Sequence, residues 1–405
     1  MTDKARERKV IVVGAGPVGM TAALALCRRG IPVTILEAEP EGRIRPGSRA
    51  IFTHRASLQA LEAVTPGLGW TLAGEGIVWP VKRTLFRGRE VYVKHYPPPD
   101  PTNLPPFSSL PQVRIEAHMY QACQAAGVEF VWATPVEGVA VDDAGVSLAT
   151  SRGPWRAAYV VGADGARSTV RKALGIGMQG SRSANTFIVV DVAENPDNPL
   201  PFERRFHYQH PAMGYRNVLF VPFAGGWRVD LQLLTEDEPA RFGSDTGVRG
   251  WLARVMPEYY RDRVTWVSSY QFLQVVADRF VDTHRRVALV GEAAHLFAPF
   301  GARGMNSGIV DAIEAAEAIR VALGGAPEES QGAFDRFAAR RQTAARYNRD
   351  AAGIALEHIQ GQNPTLNLKR HVAAWVAPWS RRAGRWLDEG PYGPKSGPPE
   401  LATKY

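Results

Sequence analysis

Three glycine-bearing stretches carry residue types that hold nucleotide cofactors. In the first, VIVVGAGPVG, Gly14, Gly16, Pro17 and Gly19 follow a β-branched run and open a small-residue helix. Such glycines permit a tight turn, backbone approach to a diphosphate, and close packing of helix on sheet. The next apolar run ends at Glu37, which can accept hydrogen bonds from an adenosine ribose. The pattern predicts dinucleotide binding without separating FAD from NAD, and a generic βαβ unit is the alternative.

The second stretch, YVVGADGARS, and the third, VALVGEAAHLFAPFGARGMNSGIVD, each run from an apolar strand through a glycine-containing turn. In the second, Asp164 can hold a polar part of a cofactor or cap the following helix. In the third, Gly291 and Glu292 precede a proline-containing loop and then a helix entry at 304–306. The first amides of that helix would form an anion site.

These turns need sheets to position them, and the chain shows two strand patterns. Short buried-type runs alternate with helices around the glycine turns, which is typical of a parallel sheet. Residues 76–96 and 184–274 alternate apolar and polar side chains, as antiparallel strands do, and residues 128–149 suggest a small antiparallel set. We therefore expect an α/β (α+β overall) fold with a Rossmann-like domain and an antiparallel-sheet domain.

Composition limits the function classes. The 405 residues, 45% hydrophobic and 22% charged, suffice for two folded domains. The net charge of +8 is spread along a chain without a nucleic-acid-binding motif, so a solvated surface that attracts an anionic substrate or NAD(P)H is favoured over DNA or RNA binding. Cys27 and Cys123 lack metal-ligand spacing. With no apolar run of roughly 18 residues, and no signal-peptide pattern at its start, we expect a cytoplasmic protein without metal or membrane span.

The chain resembles the single-component FAD-dependent aromatic hydroxylases, the p-hydroxybenzoate hydroxylase-like flavoprotein monooxygenases, over most of its length. The three stretches match that family's ADP-binding, DG and FAD-ribityl motifs, with Glu292 where the last motif ordinarily has Asp. The resemblance implies one FAD site built from all three. The cofactor-binding residues it implies are Gly14, Gly16, Pro17, Gly19, Glu37, Arg49, Gln112, Asp164, Gly291, Glu292, Pro299, Gly304, Met305 and Asn306.

The resemblance also implies the reaction. A monomer or homodimer would use FAD, NADH or NADPH, and O2 to insert one oxygen atom into an activated aromatic molecule through a flavin C4a-hydroperoxide. No protein group is then an obligatory catalyst, and Pro299 and Phe300 would lie beside the flavin ring. Epoxidation or Baeyer–Villiger oxidation on the same fold is an alternative, and a catalytically idle FAD-binding partner is another because of Glu292. A halogenase is disfavoured, because no W-x-W-x-I-P segment occurs.

The expected layout follows from these motifs. A discontinuous FAD-binding domain would span residues 1–75, 110–180 and 277–350, and a substrate-binding sheet domain residues 76–109 and 181–276. Residues 351–405 would add a helical segment packed on the nucleotide domain and an extended tail, with no thioredoxin-like domain.

The substrate should bind between the flavin and the sheet of residues 184–274, where basic side chains would suit a phenolate or carboxylate. We expect Phe206, Tyr208, Phe220 and Leu231 on one face of that sheet. The candidate substrate contacts are Arg205, His207, Tyr208, Arg216 and Phe220.

Overall fold

The computed structural model describes residues 6–43, 45–183 and 185–394, so the predicted tail beyond residue 394 lies outside the described residues. The strands it describes are β1 (Arg6–Val13), β2 (Val33–Leu36), β3 (Phe52–His54), β4 (Val81–Phe86), β5 (Arg89–His95), β6 (Phe107–Ser109), β7 (Glu129–Val131), β8 (Val136–Asp142), β9 (Gly145–Thr150), β10 (Trp155–Gly162), β11 (Met178–Arg182), β12 (Phe187–Ala193), β13 (Glu203–His210), β14 (Arg216–Phe223), β15 (Gly226–Gln232), β16 (Val264–Tyr270), β17 (Leu273–Ala277), β18 (Val287–Leu289) and β19 (His295–Leu296). The α-helices it describes are α1 (Pro17–Cys27), α2 (Arg55–Val64), α3 (Leu68–Glu75), α4 (Gln112–Ala125), α5 (Thr169–Ala173), α6 (Pro239–Gly243), α7 (Asp245–Leu252), α8 (Arg303–Gly324), α9 (Pro327–Gln360), α10 (Pro364–Val376) and α11 (Arg381–Glu389).

The first sheet places the three glycine turns side by side. Its order is β7-β2-β1-β10-β9-β8, and β18 also pairs with β10. Strands β1, β10 and β18 are parallel, with Val13 opposite Gly162 and Gly162 opposite Leu289. Because parallel strands end at the same edge of a sheet, all three turns open into one crevice, where open α/β sheets bind their ligands.

The prediction of a small antiparallel set over residues 128–149 is correct for β8 and β9 and wrong for β7. Strand β7 pairs in parallel with β2 at one edge of the first sheet. Strands β8 and β9 form an antiparallel hairpin that joins β10 at the other edge. Local alternation predicts strands correctly but contains no information on which neighbour each will pair with.

The second sheet has the order β16-β12-β15-β14-β13-β4-β5. The hairpin predicted within residues 76–96 forms β4 and β5, and it joins this sheet because β4 pairs with β13. The β4–β13 pair is parallel, and β17 pairs with β11 and β19 in a separate small sheet. The prediction of one wholly antiparallel sheet is therefore wrong at these two points. The predicted domain boundaries stay a prediction.

The second sheet buries both faces in different hydrophobic clusters. Phe206 and Tyr208 belong to an inner cluster that also contains Phe300. Phe220 and Leu231 belong to an outer cluster on the opposite face. The expectation that all four share one face is wrong, because β13 and β14 pair Phe206 with Leu219 and Arg205 with Phe220, and a one-residue change of register moves a side chain to the other face.

The C-terminal helices pack on the second sheet, not on the nucleotide-binding part as predicted. Thr84 of β4 donates a hydrogen bond to Asp388 of α11 at 2.8 Å, and Arg89 of β5 donates to the carbonyl of Ala374 in α10. Helix α10 turns Leu368, Val372 and Trp375 outward. No helix among residues 6–43, 45–183 and 185–394 is long and apolar enough to cross a membrane.

Buried histidines predict a pH-dependent stability. Burial, His210 and Arg205 lower the pKa of His207 to about 3, and burial and Arg370 lower the pKa of His358 to about 4. The unfolded chain takes up these protons near pH 6.5, so the free energy of unfolding should fall as pH decreases from there towards about 4, by on the order of 1 kcal/mol per pH unit for buried His358 and by less for half-buried His207. Urea denaturation of the protein and of His358→Gln, which should show a shallower dependence, measures this. Equal pH dependence in both would contradict it.

Candidate cofactor and substrate site

The first glycine turn leaves the beginning of α1 open. Gly14 has φ of 104°, and a Cβ there would lie 2.5 Å from the carbonyl oxygen of Ala163. A Cβ on Gly19 would lie 1.9 Å from the carbonyl oxygen of Gly14. A Cβ on Gly16, by contrast, would meet no atom within 4 Å. The space beside Gly16 at the N-terminus of α1 is therefore open, as a diphosphate site requires.

Glu37 is a buried, ionised acceptor beside this turn. Its Oε2 accepts the amide of Ala15 at 2.6 Å and lies 2.7 Å from Nη1 of Arg43. Burial alone would raise its pKa, but the amides of Glu39 and Ala15 and the Arg43 guanidinium lower the pKa of Glu37 below its ordinary value. Sequence reasoning did not single out Arg43, because several arginines occur in this loop and their spacing does not show which one turns back.

The second stretch, YVVGADGARS, which we call the DG stretch, links the first and third turns. Asp164 accepts hydrogen bonds from Ser168 Oγ at 2.5 Å and from the amide of Val170 at 3.0 Å, so it supports the start of α5, whose N-cap is Ser168. The role of Asp164 towards a cofactor stays a prediction. Arg171, which the sequence did not suggest, donates to the carbonyl of Ala293 in the third stretch at 3.0 Å. This bond fixes the DG stretch against the turn that begins at Gly291.

The third stretch directs the N-terminus of α8 towards the same crevice. Gly291 has φ of 58°, and a Cβ there would lie 3.0 Å from Val18 of α1. A Cβ on Gly304 would meet no atom within 4 Å, so the amides of Met305 and Asn306 follow an open first turn. The Asn306 side chain accepts the amide of His54 and donates to the carbonyl of Phe52, each at 2.9 Å, and so fixes β3 beside α8.

A buried ionic group supports this stretch from behind. His295 Nε2 lies 2.6 Å from Asp311 Oδ2, and Arg341 Nε donates to Asp311 Oδ1 at 2.7 Å. Asp311 Oδ2 also accepts the amide of Gly291 at 3.1 Å. Burial would raise the pKa of Asp311, but Arg341 and His295 hold it below its ordinary value. His295 is therefore a structural residue.

The loop before α2 lies across the second sheet. Ser48 donates from its amide and its hydroxyl to Asp191 of β12, at 2.5 and 2.7 Å, and Gln112 Oε1 accepts the amide of Ala50 at 3.3 Å. Arg49 has a left-handed backbone with φ of 52° and an exposed side chain, and its carbonyl accepts a hydrogen bond from Arg228. Gln112 thus positions this loop, and the roles of Gln112 and Arg49 towards a cofactor stay predictions.

Aromatic rings pack against one another in and beside the inner cluster. Phe300, next to exposed Pro299, lies 5.4 Å from Phe187 and 5.7 Å from Phe272, measured between ring centroids. Across the inner cluster the rings of Phe52, Trp79 and Phe107 lie within 5.4 Å of one another. We call these six rings the aromatic wall.

Four of the five predicted substrate contacts lie on the outer face of the second sheet, and only Tyr208 lies on the inner face. Arg205 pairs with Glu203 at 3.7 Å, and Arg216 donates to Asp237 at 2.7 Å. The rings of His207 and Phe220 make an edge-to-face contact, with centroids 5.6 Å apart, in or beside the outer cluster. Tyr208 lies in the inner cluster, but its hydroxyl already donates to the carbonyl of Leu387 at 2.8 Å.

Glu292 is the one departure from the family motif, and we expect it to be tolerated. Its side chain is exposed and makes no hydrogen bond or ion pair within the described ranges, so shortening it breaks no protein contact. Glu292→Asp should change the FAD dissociation constant by less than about threefold, as measured by fluorescence titration. A clearly tighter dissociation constant would show that the site has drifted from the family's tight-binding form.

The residues present fit FAD. Two helix N-termini face open space at Gly16 and Gly304, and the buried Glu37 supplies an acceptor for ribose hydroxyls. A model of the FAD binding domain family matches residues 7–352. The chain therefore belongs to this family of p-hydroxybenzoate hydroxylase-like flavoprotein monooxygenases, and it is an FAD-dependent monooxygenase.

Known proteins of similar sequence are monooxygenases. The para-nitrophenol 4-monooxygenase of Pseudomonas sp. strain WBC-3 is 30% identical over 76% of this chain and 77% of its own length. The 6-methylpretetramide 4-monooxygenase of Streptomyces rimosus is 30% identical over 84% of this chain, which spans 60% of that protein.

Solved structures agree with the fold. The p-nitrophenol 4-monooxygenase of Pseudomonas putida DLL-E4 superposes with a TM-score of 0.78 at 23% identity, over 97% of this chain and 100% of that one. A flavin-dependent monooxygenase in complex with FAD and substrate gives a TM-score of 0.75 at 21% identity, over 97% and 73% of the two chains.

Proposed function

We propose that this monooxygenase consumes NADH or NADPH and inserts one oxygen atom of O2 into an activated aromatic molecule, phenolic or polyketide-like. The observation that carries the proposal is the common edge at which β1, β10 and β18 end, since the three cofactor turns there open beside the aromatic wall. Relatives whose names give a phenol as substrate, such as the para-nitrophenol 4-monooxygenase, support the substrate class.

When bound, FAD would supply the redox chemistry that couples oxidation of NAD(P)H to reduction of O2. The chain's own residues would bind and orient the cofactor and the substrate. The α1 N-terminus and Glu37 would hold the ADP half, and the open first turn of α8 would stabilise negative charge on the reduced ring. Phe300 and the other aromatic rings would exclude water and contact an aromatic substrate.

The reaction balances with one reductant. For an aromatic carbon bearing hydrogen, NAD(P)H, a proton and O2 are consumed, one oxygen atom enters the new hydroxyl, and the other leaves as water. Epoxidation or Baeyer–Villiger oxygen insertion by an enzyme of this fold would consume the same reagents. Only the connectivity of the product, determined by mass spectrometry and NMR, separates it from hydroxylation.

The test is NAD(P)H oxidation by the purified FAD-bound protein with a broad panel of phenols. We expect at least one phenol to stimulate oxidation, with less hydrogen peroxide formed per NAD(P)H than in its absence. Bound FAD without stimulation by any phenol would instead favour the catalytically idle FAD-binding partner.

A further inference from the structure

Strand β13 presents one arginine to the inner cluster and its neighbour to the other face. Arg204, Phe206 and Tyr208 alternate with Arg205 and His207, and the first three are buried. Arg204 is only 6% exposed. The predicted contact Arg205 instead pairs with Glu203 and is accessible to solvent.

The charges around Arg204 do not balance. In the parallel register of β4 and β13, Lys82 lies directly opposite Arg204, and both are buried. Asp388 lies 2.6 Å from Lys82 Nζ and so compensates that charge. Arg204 has no ion-pair partner within the described ranges, and its Nη1 is buried without a hydrogen-bond acceptor. A buried charge without a partner is costly unless a ligand supplies one.

Its protein surroundings do not supply an anion. The Arg204 guanidinium lies 4.8 Å from the ring centroid of Tyr392, and burial raises the pKa of Tyr392 and of nearby Tyr96, so both phenols stay neutral. Arg370, another buried arginine, differs from Arg204 in having acceptors for its guanidinium. It donates to the carbonyls of His358 and Ile359 at the end of α9, where the helix dipole is negative.

Tyr392 lies between Arg204 and the start of α8. The carbonyl of Tyr392 accepts a hydrogen bond at 3.2 Å from Arg303, the first residue of α8. A second buried donor without an acceptor, Trp79 Nε1, lies in the aromatic wall, which reaches Tyr96 through Phe107 at 5.5 Å between centroids.

We infer that Arg204 binds an anionic oxygen of the aromatic substrate, carboxylate or phenolate, and so selects anionic over neutral rings. This rests on the proposed function and specifies its substrate class. A guanidinium suits the role because it stays charged and can donate two parallel hydrogen bonds to one anionic group.

The test titrates the FAD-bound protein with 4-hydroxybenzoate, ionised 4-nitrophenol and neutral phenol, following the flavin absorbance. Arg204→Gln should weaken binding of an anionic ligand about 30-fold and of phenol less than about threefold. Arg205→Gln, the matched control on the opposite face, should leave all three affinities unchanged. Which of the two anions loses affinity distinguishes carboxylate from phenolate recognition.

Equal weakening of anionic and neutral ligands in Arg204→Gln, or no weakening, would overturn the inference while leaving the proposed function intact. An unaltered protein that holds FAD and binds neither anion would also overturn the inference, whereas the proposed function fails only if no phenol of the broad panel stimulates NAD(P)H oxidation. If Arg204→Gln does not retain FAD, Arg204→Lys carries the comparison. A loss confined to the anions supports anion binding, and an equal loss for phenol contradicts it.

Discussion

An Asp311→Asn protein should lose about 3–5 kcal/mol of unfolding free energy and should bind FAD more weakly. The carboxylate lies between Arg341 and His295 and is fully buried, so its neutralisation removes the nearer of the two carboxylates that pair with the buried Arg341 guanidinium and leaves only Glu314, at 3.5 Å. It also weakens the acceptor for the Gly291 amide, which begins the turn before α8. Urea denaturation and fluorescence titration with FAD measure the two effects.

Glu317→Gln is the matched control. Glu317 pairs with Arg29 and Arg320 at the surface, where its side chain is 46% exposed, so its neutralisation should cost less than about 1 kcal/mol. If the two variants lost equal stability, the ionic group behind the third turn would not have the structural role assigned to it.

A Gly16→Val protein should fold normally yet bind FAD about 100-fold more weakly. The first carbon of the new side chain meets no protein atom within 4 Å, and the extended backbone at Gly16, with φ of −79°, accepts a β-branched residue. The added atoms occupy the space in which a diphosphate would approach the amides of α1. Thermal unfolding without FAD and fluorescence titration with FAD separate folding from binding.

Gly74→Val provides a control at another open glycine. Gly74 lies in α3, away from the three turns, and a Cβ there also meets no atom within 4 Å. This variant should bind FAD as tightly as the unchanged protein. Equal FAD affinity in Gly16→Val would show that the open space at Gly16 is not the diphosphate site.

The glycine turns could be predicted because their chemistry is local. A side chain at Gly14 or Gly19 would clash with backbone atoms a few residues away or at the end of the adjacent strand. The same spacing of glycines recurs wherever a strand, a turn and a helix together form a diphosphate site. The common edge of β1, β10 and β18 then follows from their parallel pairing.

The substrate side could not be predicted in the same way, because it depends on register. The alternation of Arg204, Phe206 and Tyr208 in β13 was visible, but which face of that strand meets the cofactor is decided by its pairing with β4 and β14. Arg43 and Arg49 illustrate the same limit. They lie in one loop, and only its path over Ser48 and Asp191 determines which side chain returns to Glu37.

Oxygen labelling tests the central claim most directly. The FAD-bound protein is incubated with NAD(P)H, the phenol that most stimulates NAD(P)H oxidation, and ¹⁸O2, and the product is analysed by mass spectrometry. We predict a product that carries one ¹⁸O atom from O2, with the second recovered in water. A product whose new oxygen comes from water, or phenol that stays unchanged while all O2 becomes hydrogen peroxide, would contradict assignment as an aromatic monooxygenase.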